Sequence, residues 1–313
     1  MADPAPASRQ AEFSLLLPVY AGDHPDFLRL AFESSVDRQT LRPAEAVVVQ
    51  DGPVPDALAA ELARIERESP VPVVVVVLPE NRGLTVALNR GLDACRFPVV
   101  ARMDADDVSE PERFARQWEL IAQGYDLVGT GMVEFEQDPE RPVGRRVPPV
   151  GAERIRQHAR THNPFNHPTM MYRTAALERV GRYESFGKME DYWLGIRLID
   201  AGARVENLPE PLVRYRVGAG AFARRGGWAE ARTEWRLQRE LLRMGFVTRA
   251  EYLRNVMMKG LYRLLPAGVK RVLFRRLIGG GMPGDRAAAP GAPPASGASA
   301  TPDAPPASSP EGR

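Results

Sequence analysis

The chain has 313 residues, with 42 Lys and Arg against 40 Asp and Glu, and this near balance argues against nucleic acid as a partner. Its single cysteine, Cys95, excludes an internal disulfide framework and fits a reducing, cytoplasmic setting. Residues 1–10 lack the basic and apolar regions of a secretory leader, and the apolar run at 73–78 is too short to span a bilayer.

Residues 13–20 read as a buried strand, and a helix over 25–36 follows with Phe27, Leu28, Ala31, Phe32 and Ser35 on one face. A second strand over 44–49 closes on Gln50-Asp51-Gly52-Pro53, a helix spans 56–68, and a third strand fills 73–78. After Glu80-Asn81-Arg82-Gly83 comes a helix with Leu84, Ala87, Leu88, Gly91, Leu92 and Cys95 at helical spacing. The fourth strand, Val99-Val100-Ala101-Arg102-Met103, runs straight into Asp104-Ala105-Asp106-Asp107. Three acids in four residues repel one another, so the fold needs a compensating cation or a solvated turn there. With only Ala105 between them, Asp104 and Asp106 can reach one hard cation or one bridged ligand. Ser109-Glu110-Pro111-Glu112 has the S-x-x-E capping-box pattern and predicts a helix over 111–123. Apolar strands alternating with amphipathic helices predict an α/β fold whose parallel sheet is covered on both faces. Ligands in such sheets bind at the C-terminal strand ends, where Pro18-Val19-Tyr20, Asp51 and the acid cluster all fall.

Further along, residues 126–135 give a strand or two, the Pro/Arg-rich stretch 137–150 reads as a loop, and a short helix covers 153–159. The segment His162-Asn-Pro-Phe-Asn-His-Pro-Thr169 leads to a strand at 170–172. Glu190-Asp191 opens a helix that Gly202 ends, and short strands follow near 204–206 and 212–217. Tyr252, Leu253, Val256, Met257, Leu261, Leu264 and Leu265 form an apolar stripe interrupted by Arg254, Lys259 and Arg263. A basic amphipathic helix of this kind fits an anionic membrane surface, or packs on the core or a partner subunit. The chain is expected to divide into a flexible start (1–12), a catalytic domain (13–218, its nucleotide-binding half ending at 136), basic helices (219–279) and a disordered Ala/Pro/Gly/Ser-rich tail (280–313).

No G-x-G-x-x-G and no Walker-type loop is present, so phosphates would need a cation to hold them. An Asp at a strand end can accept a pyrimidine N–H, and an aspartate pair can carry a metal-bound diphosphate. Together these point to a sugar nucleotide. The chain resembles the inverting glycosyltransferases of family 2, with the GT-A fold. The resemblance rests on Ser14-Leu-Leu-Leu-Pro-Val-Tyr20, Gln50-Asp51-Gly52, Asn81-Arg-Gly-Leu-Thr-Val-Ala-Leu-Asn89 and Met103-Asp-Ala-Asp-Asp107. It continues through His167-Pro-Thr-Met-Met-Tyr-Arg173, Met189-Glu-Asp-Tyr-Trp193 and Pro209-Glu-Pro-Leu-Val-Arg-Tyr-Arg216, in family order. The pattern is similar to bacterial enzymes of exopolysaccharide, capsule or O-antigen synthesis.

The resemblance implies a Rossmann-like nucleotide-binding sheet with an acceptor-side extension, a UDP-sugar donor, Mn²⁺ or Mg²⁺, and a saccharide or lipid-linked saccharide acceptor. By that resemblance Asp51 contacts the base, Pro18 and Tyr20 line the nucleotide pocket, and Asp104 and Asp106 are the D-x-D pair, Asp106 the direct metal ligand and Asp104 holding ribose or a metal-bound water. Asp191 matches the catalytic base, Glu190 supports it, and His167 lines the site. Each has a plainer alternative: Asp51 as a turn former, Asp191 as a helix N-cap, His167 as a satisfied core histidine. Leu88 stands where many members carry Arg, and Val217-Gly218 where many carry His. Arg224 and Arg225 would offer charge to the leaving diphosphate, or form a solvated basic loop. Rival readings are a nucleotidyltransferase and a catalytically silent sugar-nucleotide-binding scaffold; oligomeric state stays open.

Overall fold

The computed structural model describes residues 12–218 and 228–264. The first elements are β1 (Ser14–Tyr20), α1 (Pro25–Ser35), β2 (Glu45–Asp51), α2 (Asp56–Glu68), β3 (Val73–Leu78) and α3 (Leu84–Ala94). Next come β4 (Val99–Arg102), β5 (Val108–Ser109), α4 (Arg113–Ala122), β6 (Leu127–Phe135), β7 (Pro142–Arg146) and α5 (Ala152–Ala159). A 3₁₀ turn (His167–Thr169) leads into β8 (Met171–Arg173), α6 (Thr174–Arg179), α7 (Glu190–Asp200) and β9 (Val205–Arg216). Helices α8 (Trp228–Arg243) and α9 (Arg249–Leu264) complete the described chain. The chain divides into residues 1–261 and 262–313, and the sheet belongs to the first unit.

The strands form one mixed sheet in the order β3-β2-β1-β4-β8-β6-β9-β5, with β7 paired to β6. β1, β2, β3 and β4 are parallel, as the alternating pattern requires, whereas β8 runs antiparallel to both β4 and β6. Strand alternation divides the interior in two. Leu15, Leu17 and Val19 pack with Leu28, Phe32, Leu58, Leu62 and Phe114 from α1, α2 and α4. Leu16 faces the other way, into a cluster with Leu88 and Leu92 of α3 and Leu194 and Ile196 of α7. Each fully buried side chain of this kind contributes about 1.5–3 kcal/mol. α3 lies so close to the sheet that a Cβ on Gly91 would come within 2.2 Å of Leu16 Cδ1.

Four expectations need correction. The sheet is mixed and not parallel throughout, β8 running antiparallel to β4 and β6, and its edge strand β3 leaves Val77 59 % exposed. The 109–112 capping box does not form: Ser109 is drawn into β5, which pairs with β9, and its backbone N–H donates to Ser34 Oγ at 3.0 Å. α4 therefore starts at Arg113, after Glu112. The stretch read as a loop at 137–150 contains β7, an exposed ribbon on β6 whose polar, Pro-rich sequence carries no apolar alternation. The two short strands near 204–206 and 212–217 are one strand, β9, interrupted by register shifts opposite Thr130, Gly131 and Met132, where the Pro209-Glu210-Pro211 segment is accommodated.

Register decides where the chemistry gathers. Tyr20 is level with Asp51, so the ends of β1 and β2 lie side by side. β4 is shorter: Arg102 is level with Leu16, and Met103 N–H donates to Leu16 O at 3.0 Å. The chain thus leaves the sheet early and turns its acids against the Pro18–Tyr20 end. Because β8 is antiparallel to β4, the 3₁₀ turn carrying His167 also comes to the C-terminal end of β4.

Candidate active site

A cavity of about 440 Å³ opens at these strand ends, lined by Pro18, Val19, Tyr20, Asp23, Asp51, Asn81, Gly83, Leu84, Ala87, Asp104, Ala105 and Asp106. Asp51 is held at its rear: its carboxylate accepts the backbone N–H groups of Arg82 (2.7 Å) and Gly83 (2.9 Å) at the entry to α3. Gly52 beside it has φ +87°, and a Cβ there would meet Asn81 N at 2.5 Å, so the turn needs glycine.

The crowded acids are compensated by arginines. Arg102, 1 % exposed, lays its guanidinium fork on Asp104, Nη1 to Oδ2 at 2.9 Å and Nη2 to Oδ1. Arg216 donates its backbone N–H to Asp107 Oδ1 at 2.8 Å and Nε to Asp106 O at 2.9 Å. Its guanidinium lies 3.7 Å from the Phe27 ring centroid and 4.5 Å from that of Phe135. Arg113, fully buried, ties Arg102 O (2.6 Å) to Pro168 O (2.9 Å) and so joins the acid turn to the His167 segment. Burial and the neighbouring Arg102 pull the Arg113 guanidinium down to about 9.

Unlike Asp104, neither Asp106 nor Asp107 forms an ion pair among the described residues; burial followed by repulsion from Asp104 pushes Asp106 up to about 6, and burial raises Asp107 well above its ordinary value. A raised carboxylate facing a cavity is what an uncompensated hard-cation ligand looks like. The described residues offer no group of three or more metal-ligating side chains. Asp106, at the cavity wall, offers oxygens of the kind a divalent ion takes, whereas both Asp104 oxygens are engaged by Arg102. Asp23, which the sequence reading passed over, accepts Tyr20 N–H at 2.9 Å. Burial pushes it up to about 7 against that bond, and Asp106 and Asp104 add to the rise.

Glu190 and Asp191 do not line this cavity. They occupy the first turn of α7, with Met189 as its N-cap, so Asp191 is inside the helix and not the cap itself. Asp191 accepts Asn163 Nδ2 at 2.7 Å and Tyr192 N–H at 2.8 Å, and burial raises its carboxyl above the usual range. Glu190 is also raised, by burial and then by Asp191, and its buried Oε2 has no hydrogen-bond partner among the described residues. His167 Nε2 lies 3.2 Å from Tyr183 Oη, and burial holds the imidazole well below its ordinary value, hence neutral. Arg102 links the two groups: its charge acts on Asp104 and Asp106 on one side and on Asp191, Glu190 and His167 on the other. Arg224 and Arg225 lie outside the described residues.

Residues 14–181 match the sequence profile of the family described as glycosyl transferase family 2. The chain belongs to that family. It is 37 % identical over 269 residues to an uncharacterized glycosyltransferase of Haemophilus influenzae, covering 85 % of this chain and 99 % of the relative. It is 35 % identical to the amylovoran biosynthesis glycosyltransferase AmsE of Erwinia amylovora, over 84 % of this chain and 98 % of that one. Among solved structures, S. aureus TarS 1-349 in complex with UDP-GlcNAc matches with a TM-score of 0.61 at 17 % identity, over 83 % of this chain and 78 % of TarS 1-349. The GT-A fold and glycosyltransferase class expected from the motifs are both borne out, and the nucleotidyltransferase reading is set aside.

Proposed function

We propose that this family 2 glycosyltransferase moves a sugar from a UDP-sugar to a saccharide or lipid-linked saccharide acceptor, with inversion, in cell-surface polysaccharide synthesis. The observation that carries the reading is one cavity at the strand ends flanked by Asp51, Asp104 and Asp106; the Asp191 carboxyl, raised by burial, stands outside its lining. Two relatives support the biological setting: AmsE, named for amylovoran biosynthesis, and an Escherichia coli UDP-Gal:alpha-D-GlcNAc-diphosphoundecaprenol beta-1,3-galactosyltransferase, 28 % identical over 85 % of this chain and 96 % of that one.

In the proposed step the acceptor oxygen forms its bond to the anomeric carbon as the bond from that carbon to the β-phosphate oxygen breaks. The acceptor proton passes to Asp191, and the bonding pair leaves with the nucleoside diphosphate. Asn163 and the Tyr192 N–H hold the Asp191 carboxylate in place for this. Burial favours proton uptake by Asp191, which suits a general base worth about 10²–10⁴-fold in rate. Pro18, Tyr20 and Asp51 take the nucleoside, Tyr20 being half exposed at the cavity wall. Asp106, with Asp104 beside it, would hold Mn²⁺ or Mg²⁺, which would supply Lewis-acid neutralisation of the diphosphate. Glu190 supports the base from the first turn of α7.

A lipid-linked acceptor requires access to a membrane surface. No described helix is long and apolar enough to cross one. In α9 the expected stripe splits. Tyr252 packs on the core, while Leu253 (58 %), Met257 (62 %) and Met258 (63 %) stay exposed beside Arg254. That face supports peripheral contact with anionic lipid.

The test is UDP release from nucleotide sugars with an acceptor, for wild type and Asp191→Asn. The variant is expected to lose about 10²–10⁴-fold in kcat while binding UDP normally. A normal rate would overturn the base assignment.

A further inference from the structure

The register of β4 places Arg102 on the face of the sheet that α7 covers. Val99, Ala101 and Met103 pack into the α1/α2/α4 core, whereas Val100 joins Tyr172, Tyr183 and Trp193 on the opposite side. Alternation puts Arg102 with Val100. From there its two Nη atoms fork onto Asp104 at the donor cavity, and its Nε is buried without a hydrogen-bond partner among the described residues. Stability alone does not call for such a residue, since a buried ion pair replaced by well-packed apolar side chains is often no less stable.

We propose that Arg102 is a positioning residue serving both ends of the proposed transfer: its fork fixes Asp104 for the donor, and its buried guanidinium stands on the sheet face that α7, the helix of Asp191, covers. This rests on the functional reading above. The groups bearing on Asp191 come from four places. They are Glu190 on its own helix, Asn163 ahead of the 3₁₀ turn, Tyr183 between α6 and α7, and Arg102 on β4. Tyr183 is in turn bonded to the neutral His167. Arg102 is the cation of this set. It opposes the rise that burial imposes on Asp191, so its removal lets Asp191 hold its proton to higher pH.

Two substitutions separate the roles. Arg102→Met removes fork and charge; Arg102→Lys keeps the charge and loses the bidentate geometry. Each is measured in the full chain by calorimetric titration with UDP plus Mn²⁺, by the pH profile of kcat, and by thermal melting. Arg102→Met should weaken UDP–Mn²⁺ binding by about tenfold or more. It should also move the acid limb of the profile to higher pH by about half a unit or more. Arg102→Lys should weaken binding while leaving the limb in place. A folded Arg102→Met protein with unchanged affinity and an unchanged limb overturns the proposal, and so does a change confined to the melting temperature. Loss of affinity with a stationary limb overturns the dual role. If instead Asp191→Asn transfers sugar at the normal rate, the base reading itself has failed, a result separate from a profile that does not move in Arg102→Met.

Discussion

Asp51→Asn probes the link between the cavity and the start of α3. Both Asp51 oxygens are occupied, by Arg82 N–H and Gly83 N–H, and the residue is 4 % exposed. Asparagine keeps one acceptor and turns an NH₂ towards the other backbone donor. One charge-assisted bond is lost, one part-buried N–H is left facing the amide NH₂, and the negative charge at the N-terminus of α3 disappears. The sum is about 2–4 kcal/mol. For a domain of this size that corresponds to a fall in melting temperature of about 5–10 °C. Urea unfolding of both proteins reads it directly, and UDP titration below the transition reads the loss of base recognition separately. A stability change below about 0.5 kcal/mol, the range of an inconsequential surface substitution, would mean that the carboxylate is not seated on α3.

Asp23 gives a prediction in pH. With its folded value near 7 and its ordinary value near 4, the native state keeps a proton that the unfolded chain releases, so stability falls as pH rises across that window. Asp23→Asn retains the acceptor for Tyr20 N–H and should melt higher than wild type at pH 8, with the advantage shrinking towards pH 4; a constant difference would contradict the assignment. On α9, Leu253→Glu with Met257→Glu should abolish sedimentation with anionic phospholipid vesicles, which the parent chain should show. Equal sedimentation of the two proteins would sink the membrane contact.

The first half of the fold was legible because its strands are continuous apolar runs separated by helices of clear period. α2 and β3 fall on the expected residues, and the acid cluster lies at the strand end where parallel sheets bind ligands. The failures share a cause, namely pairing that local sequence cannot announce. Ser109 looks like a helix cap until β9 claims it as a strand, and the 142–146 ribbon has no buried face to write an apolar alternation. The compensating cations were present but unread. An arginine inside an otherwise apolar strand, as at Arg102, is itself a signal of a buried partner. Asp23 carried no such mark, because its raised carboxyl comes first from burial and then from the approach of Asp106 and Asp104, more than eighty residues away along the chain.

The most direct test of the central claim is calorimetric titration of UDP into the wild-type protein and Asp106→Asn, each with Mn²⁺ and with EDTA. A single saturable site is predicted for wild type with Mn²⁺, weakened by about tenfold or more by either EDTA or the substitution while the fold is retained. UDP binding of equal strength in all four titrations would contradict it.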